Sequence, residues 1–482
     1  MKEFTPRSMM SPLKMAALAA ALSVSLGVSQ HAQAAAFQLP TTNAAGFGRG
    51  FAGGSLWAND PSASYNNPAA MAWFTGAVVQ GSWIGIRPDI QFNGTATDAS
   101  GRPMSGNSPN GGDSFINDAS AFYVQPLSDR FAIGFSFVAP NGLVTEYSPT
   151  WLGREFGTKT SMKSIALTLS ASYKVQDNFS VGVGVTAQRT RAQLNNGLDV
   201  GGILTSIPEL TGGLPQDPLE NAQINVRVHN WSAGYFLGAE WKPTENDSLG
   251  ITYHSKISNR LHGKYAMYYP NDGQPGTNGG PTIDVRDMVA LIPGLNQLGQ
   301  QFIPGFQPLP ALNPDGSSAS ARLDNPAFVN IDYLHQFSDA FSMGASVEWT
   351  NWSKFKTLAL YSQGTQLLVL DTAYRNSYTV SVGGDYKFNS QWTGRAGLVY
   401  DETPTRSPTR DPRIPDNNRR IVALGLGYQY NNHLSFDAAY QHQFLSDARI
   451  HQTAPIGIGA GSIDGYSNNS GDVLALTATY AF

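Results

Sequence analysis

Along most of this chain apolar and polar residues alternate one by one. Ile165, Leu167, Leu169, Ala171 and Tyr173 fall opposite Ala166, Thr168, Ser170 and Ser172. Val380, Val382, Tyr386 and Phe388 fall opposite Thr379, Ser381, Asp385 and Lys387. The same spacing returns in Val422, Leu424, Leu426, Tyr428 and Tyr430, in Leu434, Phe436, Ala438 and Tyr440, and in Leu474, Leu476, Ala478, Tyr480 and Phe482 at the end of the chain. A period of two predicts β-strands with one face in an apolar phase. The apolar faces end in aromatic residues, and the opposite faces are small and polar. In a soluble sandwich the apolar face meets a second sheet. In a membrane barrel it meets lipid, and the aromatics form interfacial girdles.

The connections separate these two architectures. Tight turns fall near Ser128-Asp129, Gln176-Asp177-Asn178, Pro243 to Asp247, Ser338-Asp339, Asn389-Ser390 and Asn431-Asn432. Between them lie long segments at 93–116, 141–162, 195–223, 266–317, 356–374, 403–418 and 446–470. Regular alternation of short and long connections is the pattern of outer-membrane barrels, whose periplasmic turns are short and outer loops long. Six short and seven long connections predict an all-β chain, a transmembrane antiparallel β-barrel of about 14 strands.

Composition sharpens this picture. Charged residues make up 14% of the 482 positions, well below the roughly 25% of an ordinary soluble domain. Mean hydropathy is −0.23, and past the first 35 residues no apolar run approaches the roughly 20 residues of a spanning helix. A net charge of −4 with no basic run argues against nucleic acid. The absence of cysteine excludes disulfides and cysteine chemistry. No spacing of metal-binding side chains stands out, so neither metal nor cofactor is expected.

The N-terminus has two distinct parts. Lys2, Arg7 and Lys14 precede the apolar stretch Met15 to Val28, and Ala32-Gln33-Ala34 supplies a small-x-small site. Residues 1–34 therefore read as a secretory signal peptide, with a membrane anchor as the alternative. Residues 35–75 do not alternate and are rich in Gly, Ala and Ser with scattered aromatics. They suit a compact hatch inside a barrel lumen, leaving 76–482 as the barrel. Gly46-Phe47-Gly48-Arg49-Gly50 lacks the strand and βαβ context of a nucleotide loop.

A set of short motifs, in order along the chain, carries a resemblance. They are Phe37-Gln38-Leu39, Gly46-x-Gly48-Arg49, Asn67-Pro68-Ala69, Gly142-Leu143-x-Thr145-Glu146, Trp349-Thr350-x-Trp352-Ser353 and Ile414-Pro415-Asp416-x-x-Arg419. Together they resemble outer-membrane long-chain fatty acid transporters of the FadL type, a family that includes importers of aromatic hydrocarbons. The resemblance implies a 14-stranded barrel, a hatch bearing Asn67-Pro68-Ala69, and a third strand kinked so that the wall opens sideways. The hatch N-terminus near Phe37 is expected to cap a lumen pocket and, with Asn67-Pro68-Ala69, to form the gate.

The third strand by position contains Ala139-Pro140-Asn141-Gly142 inside an otherwise alternating run. Proline cannot donate to a ladder and glycine weakens one. Such a break reads either as a lateral opening or as an ordinary β-bulge. Physics favours a sideways exit for greasy cargo. Each methylene moved out of water gains about 0.8 kcal/mol, so a chain of about 15 methylenes gains roughly 12 kcal/mol. An aqueous channel to the periplasm would forfeit that, whereas a closed barrel offers no edge to leave by. The expected route runs from outer loop to lumen, past Phe37 and beside Asn67-Pro68-Ala69, then through the break.

Other candidates follow. Ile203, Leu204, Leu291, Ile292, Phe302 and Phe306 are apolar residues in outer loops; they either close the barrel mouth or form a landing site for an apolar ligand. Thr145, Glu146, Asp401, Asp416, Arg419 and Arg191 are candidate polar residues of the lumen, with a purely structural network as the alternative. Alternation also places Arg189 and Arg191 on the face of Val181, Val183 and Val185, which would turn them toward lipopolysaccharide phosphates.

The expected protein is thus a monomer in the outer membrane of a Gram-negative bacterium. Its expected partners are lipopolysaccharide, phospholipid and a hydrophobic small molecule, most simply a long-chain fatty acid, with aromatic hydrocarbons and alkanes as alternatives. The rivals are a general porin, which needs an open lumen, and a lipid hydrolase. The latter needs a nucleophile beside a base, whereas His254 and Ser255 are adjacent and point apart in a strand.

Overall fold

The computed structural model describes residues 36–98, 101–104, 106, 110–112, 115–198, 222–268, 317–362, 365–453 and 460–482, with isolated positions between 294 and 301. The expected signal peptide and the loop residues Ile203, Leu204, Leu291, Ile292, Phe302 and Phe306 lie outside the described residues. Among the described residues one antiparallel sheet of 19 segments closes on itself. Five staves are each broken into two segments, so the wall has 14 staves.

In chain order the staves are β1 (Val78–Asp98), β2 (Ile116–Pro126), β3 (Phe131–Glu146), β4 (Lys159–Gln176), β5 (Phe179–Leu198) and β6 (Ala222–Trp241). β7 comprises Asp247–His254 and Ile257–Tyr268, and β8 comprises Ser317–Asn325 and Phe328–Gln336. β9 comprises Phe341–Thr350 and Thr357–Ser362, and β10 comprises Thr365–Asp371 and Ser377–Lys387. β11 (Trp392–Asp401) and β12 (Arg419–Gln429) follow, then β13 (Leu434–Leu445 and Ala448–Thr453) and β14 (Ala460–Ala481). Closure is made by β14 along the whole of β1, from Val78 opposite Ala481 to Asp98 opposite Ala460. The terminal alternating run thus has a partner on each side, β1 and β13.

All six predicted tight turns connect neighbouring staves at one end of the barrel. The long segments are shorter than expected. β1 continues to Asp98, β3 to Glu146, and the segment 356–374 holds most of a hairpin. Beyond the lipid both faces of a stave are polar, so alternation fades while the ladder continues.

The outward face is a lipid face. Leu169, Val183, Val185, Leu237, Ile251, Val380, Leu398, Leu424 and Leu476 are exposed there. Aromatics bound this band at both ends: Trp231 and Trp241 on β6, Tyr378 and Phe388 around β10, Tyr400 and Trp392 on β11. Ten residues of strand span about 34 Å, and a tilt near 45° turns this into the roughly 25 Å of an outer-membrane apolar band.

Described residues of the expected hatch fill the lumen. They form α1 (Ala44–Gly48), α2 (Ala63–Asn66) and a 3₁₀-helix (Pro68–Trp73). α1 and the 3₁₀-helix are each started by an asparagine. Asn43 accepts from the Gly46 amide at 2.8 Å, and Asn67 accepts from the Ala69 amide at 3.1 Å. Pro68 then sits at the first helical position, where its missing N–H costs nothing.

The hatch meets the wall where the wall has no side chains. A Cβ on Gly425 of β12 would lie 2.9 Å from the Gly48 Cα, and one on Gly344 of β9 would lie 2.7 Å from the Gly53 nitrogen. Gly383 and Gly397, on β10 and β11, face the Arg49 backbone with no room for any side chain. Charge fixes this seat. Arg49 donates two hydrogen bonds to Asp385, at 2.5 and 2.7 Å, and its guanidinium lies 3.9 Å from the Trp57 ring centroid. Arg395 extends the chain of charges from Asp385 (3.2 Å) to Asp437 (2.6 Å). Removing one member of a buried ion pair strands the other charge. Arg49→Ala is therefore expected to loosen the hatch and raise ion conductance in planar bilayers, while the folded barrel keeps its heat-modifiable gel mobility.

Candidate functional site

The wall is incomplete between β2 and β3. Their pairing runs from Pro126 opposite Ala132 only as far as Ala121 opposite Phe137. Ile116 to Ser120 remain bonded to β1 on their other edge and have no partner on β3. β3 itself stays on β4, but the register shifts between Val138 and Asn141, where one extra residue enters β3. The four residues expected at the opening, Ala139, Pro140, Asn141 and Gly142, are the ones at this break.

The free edge of β3 is taken by the chain's own N-terminal segment. The Leu39 amide donates to the Pro140 carbonyl and the Gly142 amide donates to the Phe37 carbonyl, each at 2.9 Å. Gln38 pairs with Asn141 as an antiparallel bridge. Residues 37–39 thus occupy the ladder positions that β2 leaves vacant. The extra residue also turns the Asn141 side chain into the lumen. Its Oδ1 accepts from Asn325 at 2.6 Å and from Ser164 at 3.0 Å. Asn325 is bonded onward to Asn259 at 3.4 Å, so a polar chain links β3 to β8 and β7.

Phe37 points up from this edge into an aromatic cage. Its ring meets Trp352 edge-on at 4.7 Å and Phe355 at 5.5 Å. Leu143, Met162, Leu194, Val228, Leu261 and Tyr265 complete a buried cluster around it. The backbone is held just before the ring: the Ala36 amide donates to Asp416 Oδ2 at 3.1 Å. Asp416 Oδ1 receives Arg419 Nη2 at 2.6 Å, and Arg419 Nε lies 3.2 Å from Asp401. Asp401, Asp416 and Arg419 therefore form one buried network, and it holds the N-terminal segment in place.

A small apolar cavity adjoins the cage, lined by Leu194, Phe355, Leu358, Leu370, Tyr374 and Ile414, with Arg410 and Arg413 at its edge. Arg413 is 4% exposed, and its Nη1 is buried without a hydrogen-bond partner. Burial draws the Arg410 pKa below the ordinary guanidinium value, with the Asp416 charge acting in the opposite sense. A second, larger cavity lies below Phe37, lined among others by Leu39, Thr41, Tyr65, Pro140, Asn141, His254 and Phe328. It therefore borders the break directly.

Several expected placements change. Asn67-Pro68-Ala69 does not stand beside the break. Asn67 donates to the Ala239 carbonyl at 3.2 Å, Ala69 accepts from Ser180 at 2.9 Å, and Pro68 packs on Gly182. The motif anchors the hatch to β5 and β6; besides residues 37–39, the hatch reaches the break through Thr42, whose carbonyl accepts from Ser120 at 3.2 Å, and through Tyr65. Glu146 leaves the lumen: it pairs with Lys159 at 2.7 Å, with its side chain 45% exposed. Arg191 is exposed on the outer face of β5, as strict alternation demands. Thr145 does face inward, donating to the Arg413 carbonyl at 2.9 Å and tying β3 to the inward-folded loop.

Sequence reasoning missed Arg410, Arg413, Asn325 and Asn259. The asparagines had a usable signal, since each occupies an inward position of a stave. The arginines sit in a loop, where no periodicity assigns a direction. The lumen holds a packed hatch, unlike an open porin. His254 stacks on Phe328 at 4.4 Å and Phe236 at 4.9 Å, while the Ser255 hydroxyl accepts from the Tyr235 amide at 2.9 Å.

Residues 25–482 match the family described as outer membrane protein transport protein (OMPP1/FadL/TodX), and the chain belongs to this family of outer-membrane β-barrel transport proteins. Among its relatives, "Outer membrane protein P1" of Haemophilus influenzae is 26% identical over 446 residues, covering 87% of this chain and 88% of that one. A "Long-chain fatty acid transport protein" of Escherichia coli O157:H7 is 26% identical over 444 residues, covering 90% and 93%. The crystal structure of a Pseudomonas aeruginosa FadL homologue superposes with a TM-score of 0.81 at 42% identity, covering 92% of this chain and 99% of that chain. The Pseudomonas putida toluene transporter TodX shares the fold at 18% identity, with a TM-score of 0.64 and coverage of 93% and 100%.

The Asn141 side chain is the acceptor on which two buried donors depend. Asn141→Ala is expected to lower stability by about 1–3 kcal/mol, read from reversible urea unfolding of the refolded barrel.

Proposed function

We propose that the protein takes up long-chain fatty acids by passive movement from the outer surface into the lumen, then sideways into the membrane through the β2–β3 break. One observation carries this reading: the ladder positions missing from the wall are filled by residues 37–39, whose Phe37 ring occupies an apolar cage. One short segment thus closes the wall and fills the binding site. A hydrocarbon chain that displaces the Phe37 ring competes for the same apolar contacts. It draws Phe37 and Leu39 off Gly142 and Pro140, and the break is then lined by the cavity below. Because Pro140 has no N–H to satisfy, fewer backbone groups are left bare when the segment withdraws.

The head group selects the acid. The unpartnered Nη1 of Arg413, beside an apolar cavity, matches a carboxylate whose tail lies among Leu194, Leu358 and Phe355. A buried guanidinium pairs strongly with a carboxylate. A neutral hydrocarbon gains nothing from it. Aromatic hydrocarbon uptake, the activity named for the toluene transporters of similar fold, is the second reading; it is favoured by the wholly apolar cluster around Phe37.

Two experiments separate these steps. Replacing Ala139–Gly142 with a regular alternating stretch that restores pairing to Ile116–Ser120 is expected to abolish uptake of radiolabelled oleate by cells, with the barrel still folded; undiminished uptake would refute the lateral route. Arg413→Gln is expected to lower oleate uptake several-fold and leave toluene uptake unchanged. Equal loss for both cargoes would remove the head-group role.

A further inference from the structure

Beyond the transport path, the outer surface of β4 to β7 carries a field of positive charge that few carboxylates approach; Lys163, at its β4 edge, feels the charge of Asp118 on β2. Lys163, Arg191, His229 and His262 are successive cross-strand partners, so they form one row across four staves. One step higher, Arg227 faces Lys264. One step lower, Arg189 faces Trp231, its guanidinium 6.0 Å from that ring, and Arg260 precedes His262 by two residues. Arg191, Arg227, Arg260 and Lys264 are exposed. Among the described residues, none of Lys163, Arg189, Arg191, Arg227, Arg260 and Lys264 has a carboxylate within ion-pair distance, and Asp324 is occupied by Lys256 (2.7 Å) and Arg322 (3.0 Å).

The opposite side of the barrel is arranged differently. There Arg375 pairs with Glu402 at 3.2 Å, Arg449 with Asp464 at 2.5 Å, and His442 with Asp472 at 2.8 Å. Like charges on directly opposed strand positions repel, so the pairs Lys163 with Arg191 and Arg227 with Lys264 are unfavourable without an anion from outside. Their height identifies that anion. The tight turns mark the periplasmic end, and Trp231 marks the far edge of the apolar band. His229 and Arg227 lie two and four residues beyond it, about 5 and 10 Å higher along the membrane normal. That is the head-group layer of the outer leaflet.

We propose that this field is a binding site for lipopolysaccharide, whose phosphorylated sugars meet the guanidinium and ammonium groups while its acyl chains lie on the Trp231, Tyr235 and Leu237 surface below. Several cations spaced across four staves suit a ligand bearing more than one phosphate. A phospholipid carries one and sits on a smaller footprint. The site depends on the outer-membrane placement of the barrel and is independent of which cargo it carries.

The test uses the full-length, delipidated protein in detergent, titrated with purified lipopolysaccharide, with dephosphorylated lipopolysaccharide and with phosphatidylglycerol, and read by native mass spectrometry. The combined variant Arg191→Gln, Arg227→Gln, Arg260→Gln and Lys264→Gln is expected to weaken lipopolysaccharide binding by at least about tenfold. A variant of the opposite side, Arg375→Gln with Arg449→Gln, is expected to bind like the wild type. Dephosphorylated lipopolysaccharide and phosphatidylglycerol are expected to bind the wild type weakly. Wild-type-like binding by the four-residue variant, equal loss in the opposite-side variant, or equal affinity for either control lipid would each overturn the proposal. If the combined variant does not refold, Arg191→Gln and Arg227→Gln singly carry the same test, each with a several-fold loss expected and no loss overturning it.

Discussion

A peptide group facing hydrocarbon must find a hydrogen-bond partner, because lipid supplies none. A barrel meets this demand by closing its sheet, and this barrel does so along the full length of β1 and β14. Between β2 and β3 it departs from that rule. From Ile116 to Ser120 on one side and from Val138 onward on the other, the two staves part. On the β3 side the backbone of residues 37–39 supplies partners to Pro140 and Gly142. The proposed lateral route rests on that substitution, since it requires a segment that seals the wall and leaves it without unfolding the barrel.

Such a segment needs a firm base and a weak tip. The base is the hatch. It is pressed onto wall glycines at Gly344, Gly383, Gly397 and Gly425, and pinned by Arg49 to Asp385. The same logic holds on the other side, where Asn67, Pro68 and Ala69 rest on β5 and β6. The tip is held by a few backbone hydrogen bonds, by Asp416 and by the contacts of one ring. Contacts of that size are within reach of a ligand with a long alkyl chain, each methylene of which is worth about 0.8 kcal/mol out of water. The motif Asn67-Pro68-Ala69 is therefore part of the anchor, two staves away from the route that sequence reasoning assigned to it.

The architecture was legible because lipid imposes a strict alternation on every stave it touches. The 14 staves, the six tight turns, the lumen hatch and the break in β3 all follow from periodicity, composition and the motifs that carry the family resemblance. Where lipid no longer touches the strand, the signal fades, and β1, β3, β10 and β13 run further than their patterns show. Alternation also oriented Arg191 correctly as an outward residue, although Arg191 stood among the polar candidates of the lumen as well; the periodic argument was the sounder one. Glu146 fell on the wrong side for a related reason: the extra residue in β3 reverses the facing of everything after it, and a bulge cannot be counted from sequence.

Sequence alone thus determined the membrane, the barrel and the location of the weak point, since each depends on which residue types occur at which spacing. Tertiary structure alone decided what fills that weak point. Phe37 and Gly142 lie 105 positions apart, and nothing in either neighbourhood announces that one backbone completes the other's ladder. It also decided that Asn141 reaches Asn325 across the lumen, and that Arg413 ends beside an apolar cavity. These are contacts between elements distant in the chain, set by the curvature of a closed wall and the depth at which the hatch sits within it.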